Sequence, residues 1–570
     1  MNIPRNDYPK PQMMREEWLN LNGSWEFVID SYEHGISEGY PDEKPLGGRI
    51  NVPFCPESRL SGVENTDFMD CVWYKREVEL PESWLKTGRC THINFGACDY
   101  TAHIFVNGKK AGIHKGGYSS FSLDITSLLK KSGNIIAVCA EDDLRSGTQP
   151  SGKQSMQKES FGCFYTRTTG IWQTVWLENT PDSYIASLKM TPDIHSNRLT
   201  VEAECANASG RVLVAAAYYR GVEVGRESCI IYGENAVMCI TLSELHLWSP
   251  DSPLLYDIVF TLEEDTLQSY FGMRSVYYSD HRFYLNDRPL FLRLVLDQGF
   301  YPDGIYTAPT DEDLKRDILL SKAAGFNGAR LHQKIFEERF LYHCDVLGYL
   351  VWEEHANWGL NIQNGEAHKA FLPEWLEILK RDYNHPSIIG WCPFNETSDA
   401  QNITDLVIDA YKLTKEFDRT RPVIDTSGWY RTDKTDMEDT HDYDQNPFTF
   451  KSRYEPLRKG KQVDSGFIPS IKTLPPTLCF ISEYGGIWWN PDDDKGWGYG
   501  ERVKSVEELT ERYRGLTTAI LDNPKLCAFC YTQLTDVEQE QNGIYTYDRK
   551  PKFDIETIRE INSRKAAMEE

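Results

Sequence analysis

Residues 374–396 read "EWLEILKRDYNHPSIIGWCPFNE". A helical stretch, EWLEILKRDYNHPS, runs directly into an apolar one, and Gly390 through Phe394 have the character of a buried strand. The strand then breaks into an amide, Asn395, and a carboxylate, Glu396. A buried strand has no reason to end that way. Either Glu396 is a loop charge reaching solvent, or the strand delivers an acid into a pocket.

The helix-then-strand unit recurs on both sides of this segment. "DEDLKRDILLSKAAGFNGARLH" follows Thr310, an expected N-cap, and carries Leu314, Ile318 and Leu319 as an apolar stripe. Gly325 stops that helix, and NGARLH follows as a strand. EERFLYHCDVLG leads to YLVWEEH, DLVIDAYKLTKEFDRTR to PVIDTSG, and VEELTERYRGLTTAIL to LCAFCYTQLTD, with TLCFISEYG as a further strand. With LFLRLVLDQ counted first and an irregular sixth strand near MEDTHDY, residues 278–570 predict one parallel (β/α)8 TIM barrel.

Upstream the rhythm is all-β. SWEFVID, VWYKREVEL, TAHIFVNGKKAG, NIIAVCAE and GIWQTVWLENT are short β-branched and aromatic runs separated by turns such as Asn107-Gly108. They predict a jelly-roll sandwich over 1–180. LTVEAECAN, RVLVAAAYY, AVMCITL and LLYDIVFTL continue the pattern over 181–277, about the length of one immunoglobulin-like sandwich.

Bulk properties exclude several functions. Net charge is −25, which argues against nucleic acid and against an anionic membrane surface. A locally positive pocket for an anionic small molecule stays open. No apolar run approaches a membrane span, and "MNIPRNDYPKPQMM" lacks the apolar core of a signal peptide, so a cytoplasmic protein is expected. The 14 cysteines are scattered, and the C-x-x-C of Cys527 and Cys530 has no second pair at zinc spacing, so both read as buried thiols. Aromatics reach 12%, which suits large β-sheet cores or platforms for the flat faces of sugar rings. A homo-oligomer is the expected assembly.

In such a barrel, chemistry sits where strands end. Those ends carry Asp297; Arg330, His332, Gln333 and Lys334; Glu353, Glu354 and His355; Asn395 and Glu396; Asp425; His441 and Tyr443; Glu483 and Tyr484; and Asp536 with Glu538. Cleaving a glycosidic bond needs two carboxyl groups facing each other across the sugar, about 5 Å apart for a retaining enzyme. Glu396 and Glu483 come from the fourth and seventh strands, on opposite walls of one mouth. Tyr484 is placed to bond the second of these acids, and Asn395 a sugar hydroxyl. Asp536 and Glu538 suit hydroxyls of a neutral sugar, whereas Arg330 and Lys334 are the strand-two cations that could read a carboxylate. Glu353 and Glu354 are rival acids, and one of the two could equally be structural, paired with Arg330. His332, His355 and His441 raise the question of metal, but no H-x-x-x-H spacing occurs, and neither metal nor cofactor is expected. A Gly/Ser/Gln-rich loop after Asp143, RSGTQPSGKQSMQKES, reads as a plain surface loop, unless it does what a loop in this region does in the family that the motifs described below resemble, which is to reach the barrel mouth.

These motifs make the chain resemble glycoside hydrolase family 2 over nearly its whole length. WLNLNGSWEF resembles the entry to that family's sugar-binding-type first domain, and TTGIWQTVWLE its closing strand. NHPSIIGWCPFNE is similar to the family's acid/base signature, and ISEYGG to its nucleophile signature. The resemblance implies Glu396 as general acid/base, Glu483 as nucleophile and a retaining exo-acting mechanism on a small carbohydrate substrate. ARLHQK departs from the family's "SHYP", and EQEQNGIYTYDRKPK lacks the Asn-x-Lys with which family β-glucuronidases grip a uronic carboxylate. The implied substrate is therefore a terminal β-linked sugar of galactose configuration, a β-galactoside or β-galacturonide. β-Glucuronidase, mannosidase or arabinosidase activity, or a catalytically silent carbohydrate-binding protein, are the alternatives.

Overall fold

Strict alternation of buried and exposed residues makes Arg198–Ala206 and Asn235–Thr241 one-sided strands that must bury a face. The computed structural model describes residues 3–397, 403–466, 472–490 and 495–569. Its middle unit packs a three-stranded sheet (Tyr184–Asp193, Arg198–Ala206, Asn235–Thr241) against a four-stranded one (Val222–Ile230, Val212–Tyr219, Tyr256–Leu262, Asp265–Phe271). Leu199, Val201, Ile240, Ile258 and Phe260 fill the immunoglobulin-like core between them. The N-terminal unit is a larger sandwich of the same kind, with a six-stranded antiparallel sheet facing a four-stranded one around Trp25, Tyr74, Ile93, Val138 and Leu177.

The C-terminal unit is the barrel. Its strands are β1 (Leu292–Asp297), β2 (Gly328–Leu331), β3 (Leu350–Glu354), β4 (Ile388–Cys392), β5 (Thr426–Ser427), β6 (Glu438–Asp442), β7 (Leu478–Gly485) and β8 (Ala528–Thr532). Seven form one parallel sheet in the order β4-β3-β2-β1-β8-β7-β6. The short β5 completes the ring by pairing in parallel with Phe394–Asn395, directly beyond β4. The irregular sixth strand is thus Glu438–Asp442, as MEDTHDY suggested.

Helix α1 (Asp311–Ala323) shows why the units form where they do. Thr310 caps it by accepting from the Asp313 N–H, and Gly325 just past its end sits at φ +82°, a left-handed position that suits glycine. Leu314 and Ile318 are buried, each contributing about 1.5–3 kcal/mol of transfer free energy. Leu319, placed in the stripe by the sequence, is 47% exposed: five residues on from Leu314 it has turned off the buried face. Cys527 and Cys530 are buried free thiols in and beside β8. No helix among the described residues is long and apolar enough to cross a membrane.

Polar anchors lock the sandwiches to the barrel. Asp345, in α2 (Glu338–Leu347), accepts from Tyr270 Oη at 2.7 Å and from the Ser387 N–H at 2.9 Å, and meets His385 Nδ1 at 2.6 Å. Glu374 and Glu377 of α3 (Gly365–Asp382) bind the Tyr118 N–H and Ser119 Oγ of the first domain. Asp345 is fully buried. Asp345→Ala should therefore strand a buried hydroxyl and imidazole at a cost of about 3 kcal/mol, seen as a Tm lower by roughly 5 °C or more. A calorimetric Tm within about 1 °C of wild type would show that this anchor contributes little.

Candidate active site

Strand parity decides which side chains enter the barrel. Successive residues on a strand face opposite sides, so an inward Glu483 forces Tyr484 outward. The structure shows this outcome: Tyr484 Oη bonds Thr517 Oγ1 at 2.8 Å, behind the barrel wall. The expectation that Tyr484 bonds the strand-seven acid is therefore corrected. The phenol that donates to Glu483 Oε2 is Tyr443, just beyond β6. Its ring stacks on Tyr499 with centroids 3.4 Å apart.

Glu483 and Glu396 converge. His441, on β6, stands between them, with Nδ1 2.7 Å from Glu396 Oε1 and Nε2 3.4 Å from Glu483 Oε1. An oxygen from each carboxylate and a His441 nitrogen all lie within 4.8 Å of one another. Burial alone would raise the Glu483 carboxyl. The charges of His441, Arg330, His332 and Lys153 outweigh it and hold the group down at about 2. Burial likewise opposes a charged His441, yet Glu483 and Glu396 raise its pKa above the ordinary value. The trio offers ligand atoms that a divalent ion could use. Glu396 itself sits at φ +47°, a left-handed conformation that costs a non-glycine residue about 1 kcal/mol or more.

Arg330 ties three strand ends together. Its guanidinium donates to Glu483 Oε1 at 2.6 Å, to Asn395 Oδ1 at 2.6 Å and to Glu354 Oε2. Glu354 Oε1 accepts from the Gln333 N–H at 3.0 Å, and His332 Nδ1 lies 2.9 Å from the same oxygen. Gln333 reaches Asn357 at 2.6 Å, and the Asn357 carboxamide accepts from the Asn395 N–H. With its oxygen taken by Arg330, buried Asn395 keeps an amide Nδ2 with no hydrogen-bond partner among the described residues, a donor available to a ligand hydroxyl.

Other candidate residues are spent elsewhere. Lys334 Nζ donates to the Tyr306 and Gly299 carbonyls beneath the first domain, and Asp297 accepts from the Gly299 N–H. His355 accepts from the Ala356 N–H and stacks on Trp375 behind the wall. Asp536 is ion-paired to Lys552 at 2.7 Å and also accepts from the Gly543 N–H. Glu538 accepts from the Thr166 N–H of the first domain. Each of these five is held by a partner other than Glu396 or Glu483.

Sequence reasoning left open whether a loop of the first domain walls the mouth, and it did not single out Lys153. The loop after Asp143 lies on the barrel mouth: the Ser151 and Gly152 N–H groups donate to the Trp358 carbonyl, and Trp497 Nε1 donates to the Gly162 carbonyl. Its Lys153 is 6% exposed, over the faces of Trp358 at 5.4 Å and Tyr165 at 6.0 Å. The loop's Gly/Ser/Gln composition marked it as a loop, but nothing local said what it touches.

Three family models match the chain. "Glycosyl hydrolases family 2, sugar binding domain" covers residues 19–181, "Glycosyl hydrolases family 2" covers 183–274, and "Glycosyl hydrolases family 2, TIM barrel domain" covers 276–448. A beta-galactosidase of Thermoanaerobacterium thermosulfurigenes is 26% identical over 94% of this chain and 74% of its own length. A beta-glucuronidase of Sus scrofa is 25% identical over 75% of this chain and 71% of its own. Among solved structures, a Lactobacillus rhamnosus beta-glucuronidase superposes with a TM-score of 0.82 at 19% identity, covering 98% of this chain and 100% of that one, a likeness of fold. Curated relatives are matched over as little as 39% of their own length.

A raised folded-state pKa makes the charged His441 bridge fully stabilising below the ordinary imidazole value, about 6.5, and the contribution fades as pH rises through the folded-state value. The Tm gap between wild type and His441→Asn should be widest near about pH 5 and narrow by about pH 9. A gap flat across that range would show that the bridge is not an imidazolium.

Proposed function

We propose that this chain, which belongs to glycoside hydrolase family 2, is a retaining exo-β-glycosidase releasing one terminal sugar of galactose configuration from a β-linked glycoside. The observation that carries this reading is the approach of Glu396 and Glu483 to within 4.8 Å through their oxygens, at the carboxyl ends of the barrel strands. Such a spacing suits direct attack by one acid rather than an intervening water.

On this reading Glu396 protonates the leaving oxygen while Glu483 attacks the anomeric carbon, forming a glycosyl-enzyme ester. Glu396 then takes a proton from water as that water displaces Glu483 and releases the sugar. Arg330, Tyr443 and His441 hold Glu483 ionised and aimed. Asn395 Nδ2 is the donor for the sugar's 2-hydroxyl.

Two observations support galactose configuration. A relative named beta-galactosidase aligns with 94% of the chain. The Asn-x-Lys position is occupied by Gln541 and Asn542, and the fully buried Asn542 amide is spent on Gln533 and Glu540. A β-glucuronide is the alternative, since other relatives carry that name.

A panel of nitrophenyl β-glycosides tests the reading. Glu483→Gln should lose on the order of 10³-fold or more in kcat and accumulate no glycosyl-enzyme. Glu396→Ala should lose about 10²–10⁴-fold on substrates with poor leaving groups and far less on activated aryl glycosides, which need no proton. Turnover of Glu483→Gln above a few per cent of wild type would remove Glu483 from its assigned role.

A further inference from the structure

We propose that Lys153, delivered by the first domain's loop, recognises a carboxylate on the terminal sugar and so makes the site selective for β-linked uronides over neutral hexosides. The inference rests on the glycosidase reading above and supplies its substrate class.

Elimination among the cations comes first. Arg330 is taken by Glu354, Asn395 and Glu483, Lys334 by two carbonyls, and Lys552 by Asp536. Lys153 differs: among the described residues its ammonium has no hydrogen-bond acceptor and no carboxylate in ion-pair reach, only the two aromatic faces. Glu540 lies near enough to favour the charge, yet its two oxygens are held by Tyr165 Oη and Asn542 Nδ2. A buried cation without a counter-ion is costly, and an incoming carboxylate would remove that cost.

Placement comes second. The ammonium lies over Trp358, whose indole N–H donates to the Asn395 carbonyl at 3.2 Å and whose ring meets His332 edge-on with centroids 6.3 Å apart, so it borders the reacting centre. Its backbone is fixed from several sides. The Lys153 carbonyl accepts from the Tyr165 N–H at 2.8 Å, and Gln154 Nε2 donates to Asp99 at 2.8 Å. Gly152, at φ +57°, lies so close to the barrel that an added Cβ would stand 2.3 Å from the Gln333 carbonyl oxygen. The loop is therefore clamped against the end of β2, and the lysine stem starts from a set position. Pre-organisation of this kind lowers the cost of ordering the group on binding.

The test compares wild type, Lys153→Met and Lys153→Arg on 4-nitrophenyl β-D-galacturonide, β-D-glucuronide, β-D-galactoside and β-D-glucoside. Wild type should favour one uronide over its neutral counterpart by about 100-fold or more in kcat/KM. In Lys153→Met that ratio should fall about 100-fold, and Lys153→Arg should restore part of it. Wild type preferring a neutral hexoside, or a ratio shifting by less than about threefold in folded Lys153→Met, overturns the proposal. Calorimetric binding of free galacturonate, glucuronate, galactose and glucose to wild type gives a reading independent of folding of the variants. Tighter binding of an acid sugar, by about tenfold or more, supports the assignment, and equal affinities overturn it. Selective binding of the acid sugar without hydrolysis of any glycoside would refute the hydrolase reading and leave the lysine assignment standing.

Discussion

A guanidinium sealed from water needs acceptors, and the two terminal nitrogens of Arg330, 1% exposed, find them on three separate strand ends. Glu354 ends β3, Asn395 follows β4 and Glu483 lies in β7. No local stretch of chain could bring these groups together; only closure of the ring does. The same cation that satisfies the barrel's electrostatics also fixes the position of the proposed nucleophile. Breaking a buried pair of this kind costs about 3–5 kcal/mol, so stability of the mouth and geometry of the site rest on one set of bonds. Arg330 is thus better described as a positioning residue than as a reader of substrate charge.

The two acids are held in different ways. Glu483 is gripped by Arg330, Tyr443 and the field of His441, and is therefore ionised over the whole ordinary pH range. Among the described residues the Glu396 carboxylate has one hydrogen-bond partner, His441 Nδ1, and Glu396 has a backbone in the left-handed region and more exposure than Glu483. A nucleophile benefits from fixed geometry. An acid that must give up a proton and then take one from water benefits from fewer fixed bonds and access to solvent. The asymmetry of the surroundings therefore matches the asymmetry of the proposed roles.

Much of this was legible in the residues. Helical stripes running into apolar strands identified the barrel, Thr310 marked a helix start, and Asn395-Glu396 marked a strand end that carries an acid of the candidate site. Tyr484 could have been read correctly as well, since placing Glu483 inward assigns its neighbour to the outer face. Asp536 and Lys334 were not legible. Each looks available as a letter in the sequence, and only long-range packing reveals Lys552 beneath one and the Tyr306 carbonyl beneath the other. Lys153 is the extreme case, because its meaning depends on docking between two domains that share no local pattern.

That docking resolves an apparent conflict between global and local charge. A chain of net charge −25 repels anions at long range, but exposed charges are screened over about 8–10 Å at physiological salt. Inside the mouth the balance differs: Arg330, His441 and Lys153 surround Glu483, and the low local dielectric lets them act at close quarters. Two of these cations come from the barrel and are already committed to its carboxylates. The third arrives on a loop of the sandwich bound by backbone contacts to Trp358, and among the described residues its ammonium is paired with no acid. On the proposed reading, bond cleavage belongs to the barrel, while discrimination among sugars depends on how the first domain sits on it.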